Sequence, residues 1–136
     1  MADASPGGRA RPLSPHVQVW RWHVTMLASI LHRATGIGLY VGALVLMAWA
    51  VSLASGPGAY GAFQYAAGSI LGKLVLIALT LSVFYPLANG VRHLAWDAGY
   101  GFKPRTADAT AWLAFGFALV ATILLWAVIL ATGGAA

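Results

Sequence analysis

The chain has 136 residues, of which 60% are hydrophobic and 8% are charged, and its formal net charge is +5. About a quarter of the residues of a soluble domain are charged, so this composition excludes a soluble globular protein and indicates a single bundle of membrane helices. The basic residues are scattered and form no nucleic-acid-binding motif, which argues against a nucleic-acid partner. The chain has no cysteine, so it provides neither a disulfide nor a thiolate ligand for a metal or an iron–sulfur cluster.

The N-terminal part of the chain is predicted to lie outside the bilayer core. Residues 1–10 are rich in Gly, Ala, Ser and Pro and predict a disordered tail, which is too poor in apolar residues for a secretory signal and favours a bacterial origin. Residues 11–16 carry two prolines that favour extended chain. Residues 17–25 mix valine and tryptophan with charged side chains, which predicts a short interfacial segment with Trp20 and Trp22 at headgroup level.

Three stretches are long and apolar enough to cross a bilayer, at about residues 29–53, 71–94 and 111–130. The predicted fold class is therefore an all-α membrane protein with three transmembrane helices. Residues 11–136 are predicted to form its single membrane-anchor domain, because a chain of 136 residues is too small for more than one bundle.

Two loops are predicted between the spans, an uncharged one at residues 55–67 and a polar one at residues 99–110. Pro86 lies inside the second span, where it removes a backbone hydrogen bond and predicts a kink. In the first span, Gly38 and Gly42 have the spacing that allows close helix contact. Two interpretations stay open for this pair: contact with a partner helix, or glycines of the kind that are common in membrane spans.

Seven of the eight basic residues flank the spans on one predicted side of the membrane: Arg9, Arg11, Arg21, Arg33, Arg92, Lys103 and Arg105. Only Lys73 belongs to the other side. Because basic residues concentrate on the cytoplasmic side of membrane proteins, the N-terminus is predicted to be cytoplasmic and the C-terminus external. The predicted location is the bacterial cytoplasmic (inner) membrane, which the chain crosses several times.

A polar cluster marks the start of the first span. Ser29, His32 and Arg33 are spaced i, i+3 and i+4, so a helix places them on one face within about one turn. The simpler interpretation is that Arg33 extends to the lipid headgroups. The combination of hydroxyl, imidazole and guanidinium favours instead a polar pocket at the membrane surface. Arg92 and His93, at the end of the second span, are predicted to meet this cluster on the cytoplasmic side.

Three motifs resemble the cytochrome b subunit of succinate dehydrogenase: RPLSPHVQV at residues 11–19, SILHRATG at 29–36 and NGVRHLAWD at 89–97. They occur in matching order within residues 11–102. The resemblance implies a three-helix anchor that pairs with a second membrane-anchor subunit. It also implies an iron–sulfur subunit and a flavoprotein subunit on the cytoplasmic side, and electron transfer to ubiquinone. The isolated chain is expected to have no enzymatic activity.

The resemblance also implies roles for individual residues. Ser29 and Arg33 would bind ubiquinone, because a hydroxyl and a permanently charged guanidinium favour the oxyanion that forms when a quinone carbonyl is reduced. His32, Arg33 and His93 would lie near the propionates of a b-type haem shared with the partner subunit. His93 has a second possible role, contact with the iron–sulfur subunit. The alternative for the first pair is that Arg33 holds the helix end at the headgroups and Ser29 only packs, and the alternative for His93 is a solvated histidine at the cytoplasmic interface.

One position departs from the family pattern. The family's axial haem histidine follows the Phe-Tyr of the second span and stands seven residues before the position of His93, and Pro86 occupies that place here. Proline has no side-chain nitrogen and cannot bind iron. His93 lies about 10.5 Å further along an ideal helix. Three outcomes stay open: the haem is absent, only the partner subunit binds it, or a shifted residue binds it.

Two other functions are weighed against the quinone-binding anchor. One is a structural anchor without direct quinone or haem contacts. The other is a small transporter or proton-channel subunit, which the sequence disfavours because none of the three spans contains an acidic residue.

Overall fold

The computed structural model describes residues 19–133. Four α-helices follow one another in this range: α1 (Val24–Ala54), α2 (Pro57–Gly68), α3 (Ile70–Asp97) and α4 (Pro104–Ala131). Three of them, α1, α3 and α4, have 31, 28 and 28 residues and are long and apolar enough to cross a membrane. The predicted all-α class with three long apolar spans is confirmed.

The N-terminal predictions fall largely outside the described residues. The predicted disordered tail (1–10) and the proline segment (11–16) lie there, as does the start of the predicted interfacial segment. From Trp20 to His23 the chain is irregular, and Trp20 and Trp22 are both exposed. Their rings meet edge to face with centroids 5.2 Å apart. Their position at the headgroups stays a prediction.

The uncharged loop predicted at residues 55–67 was wrong, because α2 occupies most of it. Gly56 has the positive φ of 103° that turns the chain after α1, and Pro57 opens α2 at its first turn. Proline suits that place because its missing N–H would have had no partner in the helix. At the far end, the Ser69 hydroxyl accepts a hydrogen bond from the Gly72 N–H at 3.0 Å and caps α3. The helix α2 packs on both α1 and α3.

The polar loop predicted at residues 99–110 was also too long. The chain turns at Gly99 and Gly101, both with positive φ, and α4 begins at Pro104. The second span, predicted at about residues 71–94, is longer in the structure, since α3 continues to Asp97. The helix is continuous through Pro86. The kink predicted there stays a prediction.

The two glycines of the first span allow α1 to approach α3 of the same chain. A Cβ atom added at Gly38 would lie 2.9 Å from Ser82 Cβ and still closer to the Ser82 hydroxyl. One added at Gly42 would lie 3.6 Å from a methyl group of Leu79. The glycine pair therefore accommodates a contact within the chain.

We expect Gly38→Ala to destabilise the bundle by about 1–3 kcal/mol, the usual range for an extra group forced into a packed contact. The matched control is Gly116→Ala on α4, where an added Cβ would meet nothing within 4 Å. The measurement is the melting temperature of the detergent-solubilised protein. Equal melting temperatures for the two variants would show that the α1–α3 approach at Gly38 is looser than described.

Small residues also line the contact between α3 and α4. Ala111, Ala114 and Ala118 of α4 are buried, which brings its backbone close to α3. Tyr85 of α3 is 3% exposed and stacks on Phe115 with ring centroids 5.2 Å apart. This core places the end of α3 beside the starts of α1 and α4, where the polar residues of the chain meet.

Candidate functional site

One end of the bundle, called the polar end below, contains the start of α1, the end of α3 and the start of α4. It carries the residues singled out in the sequence: Ser29, His32, Arg33, Arg92 and His93. The other end, called the opposite end, contains α2 and the start of α3. Antiparallel packing of α1 on α3 brings residues about sixty positions apart in the chain into contact at the polar end.

Ser29 and Arg33 lie one turn apart on α1, and both side chains are exposed. Within residues 19–133 neither side chain makes a hydrogen bond. The same outward face continues through Tyr40, which is 70% exposed. The pair therefore faces away from the helices of its own chain, and a pocket that includes it needs atoms from another molecule.

His32 is turned from this face towards α3 and is half-buried. Its ring meets that of His93 edge to face, with centroids 5.9 Å apart. His93 in turn packs edge to face on Trp96 at 5.0 Å, and its Nε2 lies 3.4 Å from the Asn89 amide nitrogen. The structure thus brings together two of the three residues predicted on the haem-propionate side, while Arg33 points to the outer face.

Arg92 is buried although it carries a charge, and its guanidinium joins α3 to α4. Nε donates to the Thr110 hydroxyl at 3.0 Å, and the two terminal nitrogens donate to the Asn89 side-chain oxygen at 3.3 Å and to the Ala107 carbonyl at 2.8 Å. The guanidinium carbon also lies 4.2 Å from the centre of the Trp96 ring. Arg92 is therefore a structural cation that fixes the geometry of the polar end.

Tyr85 connects the core of the bundle to the start of α1. Its hydroxyl donates to the carbonyl of Ala28 at 2.8 Å, immediately before Ser29. Asn89, one turn further along α3, is 2% exposed. Its side-chain oxygen accepts a hydrogen bond from Arg92, and its amide nitrogen contacts the ring of His93. These contacts fix where α1 presents the Ser29 and Arg33 side chains.

The sequence reasoning missed this inner row of polar residues. Tyr85, Asn89, Arg92 and Trp96 follow one another at intervals of four, three and four residues, which places them on one face of a helix. That spacing was a readable signal. Arg92 was predicted to meet the Ser29, His32 and Arg33 cluster of α1, whereas its guanidinium donates hydrogen bonds to Thr110 and Ala107 of α4 and to Asn89 of α3.

No group of three or more His, Cys, Asp or Glu side chains capable of holding a metal occurs among the described residues. Pro86 lies half-buried within α3, next to the buried Tyr85. The nearest imidazole along α3, that of His93, is two helical turns away at the polar end.

The comparisons with known proteins agree with the architecture. A family model described as succinate dehydrogenase/fumarate reductase transmembrane subunit matches residues 8–125. The chain belongs to this family. The matched region contains all three motifs, at residues 11–19, 29–36 and 89–97, and it includes α1, α2, α3 and most of α4. The resemblance seen in the sequence is thereby confirmed.

Several family members are similar to the chain over most of its length. The succinate dehydrogenase cytochrome b556 subunit of Rickettsia felis is 38% identical over 116 residues, which cover 85% of this chain and 90% of that protein. The b556 subunit of Paracoccus denitrificans is 39% identical over 103 residues, 76% of this chain and 78% of its own. The human mitochondrial cytochrome b560 subunit is 37% identical over 101 residues, 71% of this chain and 58% of its own.

These findings identify a membrane subunit of the succinate dehydrogenase cytochrome b type. The three long apolar helices are the transmembrane helices that the family description requires. Being a subunit, the chain works in a complex with other chains.

Proposed function

We propose that this chain anchors a succinate dehydrogenase in the bacterial inner membrane and that Ser29 and Arg33 bind ubiquinone there. The observation that carries the proposal is their placement. They lie one turn apart on the outward face of α1, at its polar end, with no hydrogen bond to residues 19–133. Such a pair has its hydrogen-bonding capacity free for a ligand. The excess of basic residues at the polar end supports a cytoplasmic position for that end.

The chemistry of the two side chains suits a quinone head group. Reduction puts negative charge on a quinone carbonyl oxygen, and a guanidinium that keeps its proton stabilises that charge. The Ser29 hydroxyl donates a hydrogen bond and accepts one from water, so it can pass a proton towards the same oxygen. Because these groups are in place before reduction, little reorganisation is needed when the charge appears.

The partners follow from the same placement. A cytoplasmic polar end faces the side where the iron–sulfur and flavoprotein subunits would deliver electrons. A second membrane-anchor subunit would cover the outward face of α1, on which Ile37 and Tyr40 are 69% and 70% exposed. Contiguous exposed apolar surface of this kind suits a neighbouring helix or lipid. The quinone would then be held between this chain and its neighbours.

The described residues of this chain are not suited to bind a haem iron as an axial ligand. Of the four histidines, His16 precedes the described residues, His23 is exposed before α1, and His32 and His93 form the pair at the polar end. Pro86 stands where the family ligand is expected and offers no donor atom. Tyr85 beside it is engaged with the Ala28 carbonyl. We propose that His32, Arg33 and His93 can face haem propionates, and that this chain gives the iron no ligand.

The absorption and paramagnetic resonance spectra of the purified complex test this proposal. We expect either no haem or a haem whose iron coordination, read from these spectra, is unchanged by His32→Ala and His93→Ala. Pro86→His serves as the positive control, since it restores an imidazole at the expected place. A six-coordinate low-spin haem in the native complex that changes its coordination in either histidine variant would overturn the proposal.

The quinone proposal is tested by the ratio of quinone-linked to dye-linked succinate oxidation in Arg33 variants. Dye acceptors take electrons before the quinone site, so they report the rest of the complex. A purely structural anchor predicts a constant ratio.

A further inference from the structure

A cavity of about 790 Å³ lies at the opposite end of the bundle, away from Ser29 and Arg33. All four helices contribute to its walls. Tyr60 and Gln64 of α2 and Lys73 of α3 lie near its outer rim, whereas Gly38, Thr80 and Phe84 lie towards the middle of the bundle. Side chains on its walls, such as Leu46 (63% exposed) and Val83 (50% exposed), also reach the outer surface. The cavity is therefore open sideways, towards the membrane.

The cavity is polar at its rim and apolar in its depth. The phenol of Tyr60, the amide of Gln64 and the ammonium group of Lys73 make the rim polar. Deeper in, the Thr80 hydroxyl donates to the Leu76 carbonyl at 2.8 Å and accepts from the Trp126 ring nitrogen at 3.3 Å. These deep polar groups are thus satisfied by one another. What remains for a ligand is a polar entrance above an apolar channel.

The depth of the cavity matches one leaflet of a bilayer. From Lys73 to Phe84, α3 advances eleven residues, which corresponds to about 16 Å along the helix axis. Half of a hydrocarbon core of about 30 Å is about 15 Å. A single acyl chain that enters beside Lys73 would end near Phe84.

The rim carries a positive charge, and the two acidic residues in the range 19–133, Asp97 and Asp108, both lie at the polar end. Lys73 is the only charged residue between Arg33 and Arg92 in the sequence. It lies in the first turn of α3, where the helix dipole adds positive potential, and the first turns of α2 and α3 contain no acidic residue. A cation in this position is stabilised by an anion supplied from outside the chain.

We propose that this cavity binds an anionic phospholipid from the leaflet on the Lys73 side. The phosphate group lies at Lys73, with Tyr60 and Gln64 as hydrogen-bonding neighbours, and one acyl chain fills the apolar channel between α1, α3 and α4. The site is separate from Ser29 and Arg33, so it does not rest on the quinone proposal. A bound lipid also closes the gap between α1 and α4 at the opposite end.

The test uses the purified complex in vesicles that contain a photoactivatable phosphatidylglycerol or the matching phosphatidylcholine, each with a diazirine on the acyl chain. We expect phosphatidylglycerol to label the α3 segment 74–84 about fivefold more than phosphatidylcholine, the factor that one lysine near a charged lipid provides. Lys73→Gln should abolish this preference, and Lys73→Arg should keep it. Lys103→Gln, on the polar side, is the matched control and should also keep it.

A second variant tests the channel itself. Ala43→Phe, on the cavity wall, should reduce labelling of the segment by both lipids. Equal labelling by the two lipids in the native complex, or a preference unchanged in Lys73→Gln, would overturn the proposal. Absence of labelling by either lipid would overturn it too and would indicate that a partner helix fills the cavity. Quinone reductase activity stays unchanged in Lys73→Gln, so failure here is distinct from failure at Ser29 and Arg33.

Discussion

Replacing Arg33 by leucine is expected to lower quinone-linked succinate oxidation between about a hundredfold and a thousandfold, the range for loss of a group that stabilises developing oxyanion charge. Arg33 is exposed and makes no hydrogen bond within residues 19–133, so the fold should tolerate the change. Dye-linked succinate oxidation should be unaffected, because that electron path ends before the quinone. The measurement is the ratio of the two rates in membranes with equal amounts of complex.

Two controls sharpen this experiment. Arg33→Lys keeps the charge but loses the forked geometry of the guanidinium, so an intermediate ratio is expected. Arg105→Leu removes an exposed cation in the first turn of α4 on the same side and should leave the ratio at the native value. A native ratio in Arg33→Leu would contradict quinone binding by Arg33 and favour the structural-anchor alternative. Ser29→Ala should lower the ratio less, since it removes a neutral donor.

Replacing Arg92 by leucine is expected to have the largest effect on stability. Three hydrogen bonds from the guanidinium are lost, and bonds to a charged group contribute about 1.5–3 kcal/mol each. The Asn89 side-chain oxygen is left buried without this donor, and the contact with the Trp96 ring disappears. We expect the melting temperature of the solubilised complex to fall by at least about 5 °C.

The Arg92 variants should lower the melting temperature, whereas the Arg33 variants should lower the ratio of quinone-linked to dye-linked activity. Any complex that assembles with Arg92→Leu should keep a nearly native ratio of quinone-linked to dye-linked activity, because Arg92 is buried beside α4 and does not reach the outward face of α1. Arg92→Lys, which keeps one charge and fewer hydrogen bonds, should melt at an intermediate temperature. Arg105→Leu is again the matched control. A native melting temperature for Arg92→Leu would show that the α3–α4 contact does not depend on this network.

The loops show where sequence reasoning failed. The segment that forms α2 has no charge, and its apolar residues do not recur at a clear helical spacing. Its Gly-Pro start is typical of a sequence that interrupts a helix. Its helix is stabilised by packing on α1 and α3, which no local pattern reports. The start of α4 was missed for a related reason: Lys103 and Arg105 made a helical turn look like a polar loop, although Pro104 suits a first turn.

The sequence by itself determined the membrane class, the three spans and the family, because apolar length is a local property and the motifs are contiguous. It also placed Ser29 and Arg33 one turn apart, since helical spacing requires no tertiary information. Only the tertiary structure shows that the His32 side chain lies away from that pair and contacts His93. Only the tertiary structure also shows that Arg92 joins α3 to α4 by hydrogen bonds. Its partners Thr110 and Ala107 belong to α4, and only helix packing brings them within hydrogen-bonding distance.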